Sequence, residues 1–319
     1  MAPKFELKLG MATREAFGRA LVEVGRANPE VVVCDADLSK STMTHWFAQE
    51  FPARFVSCGI AEANMVAIGA GLASVGKIPF VSSFSCFVIN KGFEQLRVTA
   101  AYPGLNLKVV GTHSGISIGE DGPSQMSVED ISLACSLAGF TVLSPADEVA
   151  TMAHVRLAAA CYGPVFLRTG RPKVPVIYSP GQQFEIGKAI QLIDGSDVTL
   201  IATGLMLAEA IRAQQILATE GISARVVDMH TIKPLDREMI ARACKETGAI
   251  VVAEEHLVDS GLGVRVAQVV AQTSPCAMEF VGIEDTYAES GTPEGLLEKY
   301  GLMAREIAAA AQKALSRKK

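Results

Sequence analysis

One glutamate is suited to proton chemistry because its local sequence offers it no counter-charge. Glu62 lies near the start of GIAEANMVAIGAG (residues 59–71), and no Lys, Arg or His occurs between Arg54 and Lys77. An unpaired carboxylate in apolar surroundings either destabilises the fold or takes up a proton. Two interpretations stay open at this point: an acid favoured by the dipole of a first helical turn, or an acid with a chemical function.

Further candidate residues lie where apolar, strand-like runs end. In an open parallel sheet, functional groups gather at the carboxyl ends of the strands. In the first half of the chain these positions carry charged, hydroxyl-bearing and aromatic residues: Asp35, Asp37, Ser41, Phe84, His113, Asp121 and Arg171. The second half carries a smaller set, His230 and the run Glu254, Glu255 and His256, which we interpret as structural. The sequence therefore predicts a site in the first half.

Strand-like and helix-like segments alternate along the whole chain, which is the pattern of an α/β protein. The clearest strand-like runs are EVVVCDAD, IPFVSSF, NLKVVGTH, VTLIATG and AIVVAEEH. The clearest helix-like segments are ATREAFGRALVEVGRAN and SVEDISLACSLAG, the second with Ser127 as its expected N-cap. A stretch rich in Pro, Gly and Gln before Asp197 separates two such series. We predict two domains, 1–190 and 191–319, each with a mainly parallel sheet flanked by helices.

The bulk composition is that of an ordinary globular protein and disfavours several classes of partner. The 319 residues are 49% hydrophobic and 20% charged, with a formal net charge of −5. Nucleic acid is not an expected partner, because the only basic cluster is a short C-terminal end. Without a long uncharged apolar run or a signal-peptide core, no membrane association is expected. The seven cysteines include no CxxC pair, as in a reduced cytoplasmic protein.

Common nucleotide-binding, metalloprotease and hydrolase motifs are missing from the sequence. GAGLAS (residues 69–74) superficially matches a dinucleotide fingerprint. It falls late in a predicted helix, however, whereas the phosphates of a dinucleotide bind at a helix N-terminus. We interpret these glycines as sites of close helix packing.

Three segments match one enzyme family in order and spacing: FVSCGIAEANMVAIGAGLASVGKIPFVSSFSCF, GTHSGISIGEDGPSQMSVEDISL and GIEDTYAESGTPEGLLEKYGL. They resemble the C-terminal half of transketolase, and the resemblance runs from MATREAFGRAL to the end of the chain. Transketolases use thiamine diphosphate to move a two-carbon ketol unit between sugar phosphates. The resemblance implies a pyrimidine-binding domain followed by a transketolase C-terminal domain. The family's diphosphate and metal motif, GDG followed by Asn, is not found, which implies a separate subunit or a fragment.

The resemblance also implies which residues meet the cofactor. Glu62 would hydrogen-bond N1′ of the thiamine aminopyrimidine and so tune the cofactor, which carries the chemistry itself. Phe84 and Phe87 would form the pocket for the pyrimidine ring, and Asp37 and Leu38 would lie against the cofactor. The diphosphate and Mg²⁺ would be held by the partner chain.

On the substrate side, the resemblance implies that His113 hydrogen-bonds the C1 hydroxyl or carbonyl of the sugar and is catalytic together with Glu62. Asp121 in GEDGPSQ corresponds to an acid that contacts the sugar hydroxyls. Gln125 stands where many members have His, and because Gln cannot titrate, it would contribute a hydrogen bond only. Asn90 stands where the family often has a third aromatic residue.

Three residues fall on the family's phosphate-binding positions: Arg14, Ser41 and Arg171. Guanidinium groups donate paired hydrogen bonds to phosphate oxygens, and a serine hydroxyl adds another donor. Taken alone, each also has a structural interpretation as a surface charge, a cap or a loop ion pair. Arg168 lies only three residues from Arg171 and is easily confused with it.

The sequence therefore predicts the C-terminal subunit of a split transketolase, a transferase of pentose phosphate metabolism. It would act with an N-terminal subunit, two copies of each chain forming a heterotetramer. A 2-oxo acid dehydrogenase β subunit or a relative of deoxyxylulose-phosphate synthase is an alternative, although the arginine set argues against the former. A non-catalytic assembly partner is a third hypothesis, which the joint presence of Glu62, Phe84, His113 and Asp121 disfavours.

Overall fold

Three β-sheets organise the chain in the computed structural model, which describes residues 6–318. The strands are β1 (Leu9–Ala12), β2 (Val31–Asp35), β3 (Phe55–Ser57), β4 (Ile78–Phe84), β5 (Lys108–Thr112), β6 (Thr141–Leu143), β7 (Val165–Arg168), β8 (Lys173–Pro175), β9 (Ile190–Ile193), β10 (Val198–Ala202), β11 (Ala224–Asp228), β12 (Thr231–Lys233), β13 (Ala249–Leu257) and β14 (Ala277–Ile283). The helices are α1 (Thr13–Ala27), α2 (Ser39–Thr42), α3 (His45–Glu50), α4 (Glu62–Ser74), α5 (Ser85–Lys91), α6 (Phe93–Gln95), α7 (Asp130–Ser136), α8 (Glu148–Ala160), α9 (Met206–Thr219), α10 (Arg237–Glu246), α11 (Leu262–Thr273), α12 (Pro293–Lys299) and α13 (Ala304–Ser316). A 3₁₀ turn covers Pro52–Arg54 and a π-helical segment covers Leu96–Ala101.

Parallel pairing dominates both large sheets. The seven-stranded sheet has the order β12-β6-β7-β5-β4-β2-β3, with only the β12–β6 pair antiparallel. The five-stranded sheet has the order β14-β13-β10-β11-β9, with only the β11–β9 pair antiparallel. Helices pack against these sheets, among them α4 on β4 and α13 on β14. The predicted α/β fold with mainly parallel sheets flanked by helices is confirmed.

The central strands have apolar sequences because both faces of the sheet are covered. Strands β2, β5, β10 and β11 are buried along their whole length, which explains their continuous Val and Ile content. Strand β4 coincides with the predicted run IPFVSSF. The parallel register pairs Asp35 with Ser82 and Phe84 with Thr112, so polar and aromatic strand ends meet at one edge of the sheet.

The two halves of the chain are interlocked. Strand β12, which belongs to the second half of the sequence, forms the edge of the first half's seven-stranded sheet. One continuous apolar cluster also joins Phe84 and Ile116 to Leu200. The division into domains 1–190 and 191–319 remains a prediction. Between residues 6 and 318, no helix has both the length and the apolar character required to cross a bilayer.

Some local predictions are corrected by the structure. Helix α7 begins at Asp130 with Glu129 as its N-cap, so Ser127 does not cap it. Ser127 instead forms a β-bridge with Gly115. Close packing is confirmed for Gly69, where an added Cβ would lie 2.5 Å from a Val81 side-chain carbon, but Gly71 faces open space. Helices α5 and α11 and strand β14 were not predicted from the sequence.

Candidate active site

Glu62 occupies the first position of helix α4 and is buried, with 3% of its surface exposed. The dipole of α4 favours a carboxylate at this position. The acid is not unpaired, however: Lys91, 29 residues further along the chain, places its Nζ 3.2 Å from Glu62 Oε2. The expectation of an acid without a counter-charge is therefore wrong, because a residue distant in sequence supplies the charge.

Two phenylalanine rings, Phe84 and Phe87, stack on each other and are linked to this acid through Lys91. Phe84 is the last residue of β4, and Phe87 lies in the first turn of α5. The two rings are nearly parallel, with centroids 5.6 Å apart and an interplanar angle of 10°. The Nζ of Lys91 lies 4.5 Å from the Phe87 ring centroid. Lys91 thus connects the stacked rings to the buried acid.

His113 also stacks on Phe84. The two rings have centroids 3.8 Å apart and an interplanar angle of 26°. His113 follows strand β5 in a left-handed conformation (φ 57°), which a non-glycine residue adopts at a cost of roughly 1–3 kcal/mol. Such strain is retained where the surrounding structure fixes the residue.

The hydrogen bonds of His113 define its tautomer. Arg14 Nη1, which can only donate, lies 2.9 Å from Nε2, so Nε2 is the acceptor. Nδ1 then carries the proton and donates to Thr112 Oγ1 at 2.8 Å. Burial, followed by the charges of Arg14 and Arg171, lowers the pKa of His113 to about 3. The ring is therefore neutral at physiological pH.

Two arginines supply positive charge next to this histidine. Arg14 Nη1 also donates to the main-chain oxygen of Ser41 at 2.9 Å, and its buried Nε has no partner within residues 6–318. Burial, followed by the charge of Arg171, lowers the pKa of Arg14. Arg171 donates to the main-chain oxygen of Ile118 at 2.5 Å and lies 3.7 Å from Asp121 Oδ1. Two neighbouring guanidiniums with an unused buried donor are favourable for an anion.

The loop after β2 is held by the buried carboxylate of Asp35, a candidate residue to which the family resemblance gave no role. Asp35 Oδ1 accepts a hydrogen bond from the Leu38 main chain at 2.6 Å, and its Oδ2 accepts from Thr42 and Thr44 at 2.7 and 2.9 Å. These bonds fix the loop that carries Asp37, which is exposed with φ 66°. The exposed Asp37 and half-buried Leu38 are thus presented on an ordered loop.

Gln125 and Asn90 both take part in contacts between helix α5 and the segment that precedes helix α7. Cys86 Sγ donates to the main-chain oxygen of Gln125 at 3.0 Å, and Ser124 hydrogen-bonds the Gln125 side chain. Asn90 Nδ2 donates to Glu129 Oε1 at 2.8 Å. The structure thus joins Asn90 to the loop that carries Gln125, and not to the stacked phenylalanines.

Arg168 and Arg171 have different environments. Arg168 is buried, donating to Asp130 Oδ2 at 2.8 Å and to the main-chain oxygen of Glu255 at 2.9 Å. Burial opposes ionisation of Asp130, but the Arg168 guanidinium holds the pKa of that carboxyl below its usual range. Arg168 therefore joins the two halves of the chain, and the half-buried Arg171 lies 3.2 Å from Glu120 and 3.7 Å from Asp121.

The second-half polar residues have structural contacts. Glu254 accepts hydrogen bonds from the main-chain N–H groups of Leu262 and Gly263 at the start of α11, both at 2.7 Å. Glu255 Oε1 accepts from the Ser117 main chain at 2.7 Å. His230 Nδ1 lies 2.8 Å from His154 Nε2. The contacts of Glu255 and His230 join the second half of the chain to the first. The contacts of Glu254 hold the start of helix α11.

Two protein-family models match the chain, and the first covers the residues of the candidate site. Residues 10–176 match the transketolase pyrimidine binding domain, and residues 187–307 match the transketolase C-terminal domain. The chain belongs to the transketolase family. It corresponds to the C-terminal section of the family, and membership implies dependence on thiamine diphosphate.

Two relatives of similar length extend this assignment. The chain is 44% identical over 298 residues to a Methanocaldococcus jannaschii protein named "Putative transketolase C-terminal section", covering 92% of this chain and 93% of the relative. It is 39% identical over 319 residues to the 6-deoxy-6-sulfo-D-fructose transketolase subunit SqwH of a Clostridium species, covering 100% of this chain and 99% of the relative.

A solved structure of the family has the same fold. It is described as a split gene transketolase, inactive beta4 tetramer, and shares 49% sequence identity with this chain at a TM-score of 0.92. The match covers 97% of this chain and 100% of the solved chain. The split transketolase architecture predicted from the sequence is thus supported by a close structural relative.

Proposed function

We propose that this chain is the C-terminal subunit of a split transketolase that moves a two-carbon ketol unit between sugar phosphates. The observation that carries the proposal is the position of Glu62, buried at the start of α4 and linked through the Lys91 ammonium to the stacked rings of Phe84 and Phe87. A buried carboxyl that shares a neighbour with stacked aromatic rings suits a planar heterocycle with a basic nitrogen. The aminopyrimidine of thiamine diphosphate has this chemistry.

The residues present fit the cofactor's pyrimidine end. Glu62 would hold a proton at N1′, Phe84 and Phe87 would receive the ring, and Asp37 and Leu38 would lie along the cofactor. When bound, thiamine diphosphate supplies the carbon that accepts and releases the ketol unit. The contribution of this chain is to orient the ring, exclude water and control the proton at N1′.

The polar residues beyond Phe84 are suited to a phosphorylated sugar. Arg14 and Arg171 would bind the distal phosphate together with the Ser41 hydroxyl, and Asp121 would accept from a sugar hydroxyl. A phosphate that attracts the Arg14 guanidinium would free His113 Nε2 to accept from the hydroxyl next to the reacting carbon. Gln125 would add a hydrogen bond from the neighbouring loop.

We further propose that a second chain with the family's remaining domain holds the diphosphate and Mg²⁺. Two copies of each chain would form a heterotetramer, since closed two-fold symmetry is the commonest oligomeric arrangement. The named sulfofructose relative is itself a subunit, and the solved relative built from one kind of chain is described as inactive. A cytoplasmic location suits the cysteine content, and pentose phosphates are the default substrates.

The test combines this chain with a candidate N-terminal chain that carries GDG followed by Asn. We expect thiamine-dependent transfer between xylulose 5-phosphate and ribose 5-phosphate only from the mixture, and an about 100-fold or greater loss with Glu62→Gln. Glu30→Gln, which alters a surface acid paired with Lys77, is the matched control. Turnover by this chain alone would refute the split assembly, and Glu62→Gln activity within about threefold of wild type would refute the acid's role.

The same mixture separates the alternative functions. Pyruvate decarboxylation in place of ketol transfer would assign a 2-oxo acid enzyme or a deoxyxylulose-phosphate synthase relative. The absence of either reaction with a partner that binds this chain would favour a non-catalytic assembly role. Supplying 6-deoxy-6-sulfofructose as donor tests whether the anion site takes a sulfonate, as the name of the Clostridium relative suggests.

A further inference from the structure

The ammonium of Lys91 contacts two of the side chains that are proposed to bind the aminopyrimidine, Glu62 and Phe87. Its Nζ lies 3.2 Å from Glu62 Oε2 and 4.5 Å from the centroid of the Phe87 ring. The ammonium thus satisfies the buried carboxylate and covers the aromatic face at the same time. A heterocycle that hydrogen-bonds the carboxyl and stacks on the ring needs the same two surfaces.

The local fold explains how the lysine reaches this place. Phe87 and Lys91 are four residues apart on helix α5, so they share one face of the helix. Lys91 is the last residue of α5 and Glu62 is the first residue of α4, so each charge also suits the dipole of its own helix end. The contact therefore does not depend on the presence of any ligand.

We propose that Lys91 is a placeholder that keeps Glu62 paired while the cofactor is absent and moves into solvent when the aminopyrimidine binds. The inference rests on the proposed function of Glu62. The Lys91 side chain is 52% exposed, so its ammonium can be hydrated once it leaves. Glu62 is only 3% exposed and needs a partner in either state. The exchange replaces one partner of the acid by another and never leaves the carboxylate alone.

A placeholder reduces the apparent affinity for the cofactor to the fraction of chains in which the site is free. A partly exposed ion pair is formed in roughly four of five molecules, so removing it should tighten the apparent dissociation constant about fivefold. If Lys91 instead remained as a permanent partner of the loaded acid, its removal would weaken binding. The sign of the change therefore distinguishes the two roles.

The experiment is a calorimetric titration of thiamine diphosphate, with Mg²⁺ in excess, into the assembled two-chain enzyme. Lys91→Met should bind about fivefold more tightly than wild type, and Lys91→Arg, which can still pair with Glu62, should resemble wild type. Lys77→Met is the matched control because Lys77 pairs with Glu30 at 2.8 Å on the surface. Unchanged or weaker binding by Lys91→Met, with an intact thermal transition, would overturn the placeholder.

A second measurement follows the lysine itself. Acetylation of Lys91 by a water-soluble acetyl ester, followed by mass spectrometry, should become faster when thiamine diphosphate binds, whereas Lys77 should react equally in both states. Equal or slower acetylation of Lys91 after loading would contradict its release. If Glu62→Gln does not weaken cofactor binding, the proposed function and the placeholder fail together; if Glu62→Gln weakens it and Lys91→Met does not tighten it, only the placeholder fails.

Discussion

Replacing His113 should make the free energy of unfolding less dependent on pH in acidic solution. The pKa of His113 is lowered from an ordinary value of 6.5 to about 3 in the folded chain. Between these two values the unfolded chain binds a proton that the folded chain does not bind, so the free energy of unfolding rises with pH across this window. Stability from this residue is complete above pH 6.5 and is lost progressively as the pH falls towards about 3.

The magnitude follows from the proton difference. In the middle of the window the difference approaches one proton, so His113 should contribute a slope of about 1.4 kcal/mol per pH unit. The most suitable variant is His113→Asn, because asparagine adopts the left-handed conformation of this position more readily than most residues. Between about pH 5.5 and about pH 4.5, the variant should lose about 1.4 kcal/mol less stability than wild type.

Urea unfolding at each pH, followed by circular dichroism, provides the free energies. Ser114→Ala is a matched control, because it changes the adjacent buried residue without removing a titrating group. His154→Asn should also reduce the slope, since burial lowers the pKa of His154 to about 4. Equal slopes for His113→Asn and wild type would refute the conclusion that the fold holds His113 neutral.

Two further substitutions test the anion site and the contact between the halves. In the assembled enzyme, Arg171→Met should raise the KM for phosphorylated sugars about tenfold or more, as expected for the loss of a charge-assisted hydrogen bond, and should leave turnover of an unphosphorylated ketose unchanged; an equal effect on both substrates would argue against phosphate binding. Asp130→Asn leaves the buried Arg168 without its counter-charge and should lower the free energy of unfolding by about 3–5 kcal/mol in urea titrations at neutral pH. The surface variant Glu30→Gln should cost at most about 1 kcal/mol, and similar losses for the two variants would show that the Asp130–Arg168 pair is not a major source of stability.

Local patterns predicted the parts of the fold that local forces determine. Strand β4 matched its predicted run because an apolar segment between two helices has one suitable place, inside a covered parallel sheet. Ser127 failed as a helix cap because its backbone pairs with Gly115, a partner that the spacing of the capping box does not reveal. Strand β12 could not be assigned to the first sheet, since its pairing with β6 depends on how the two halves pack together.

The same distinction applies to the candidate site. The family resemblance singled out Glu62, Phe84 and His113, and the parallel register explains why Phe84 and the end of β5, which precedes His113, lie side by side. Lys91 was missed because its pairing with Glu62 spans 29 residues and depends on the orientation of helix α5, which was itself not predicted. The only available signal was the spacing of four residues between Phe87 and Lys91, which has meaning only on a helix.

The contacts of the candidate site form one continuous series from Arg14 to the acid: Arg14, His113, Phe84, Phe87, Lys91 and Glu62. Both ends of the series are held by cations in the chain as it stands. Arg14 occupies the acceptor nitrogen of His113, and Lys91 occupies the carboxylate of Glu62. A phosphorylated sugar would attract the first cation, and an aminopyrimidine would displace the second. Binding of the sugar phosphate and the cofactor would thus free the neutral His113 and the carboxylate of Glu62 from these cations. Each group would become available only when its own ligand is bound.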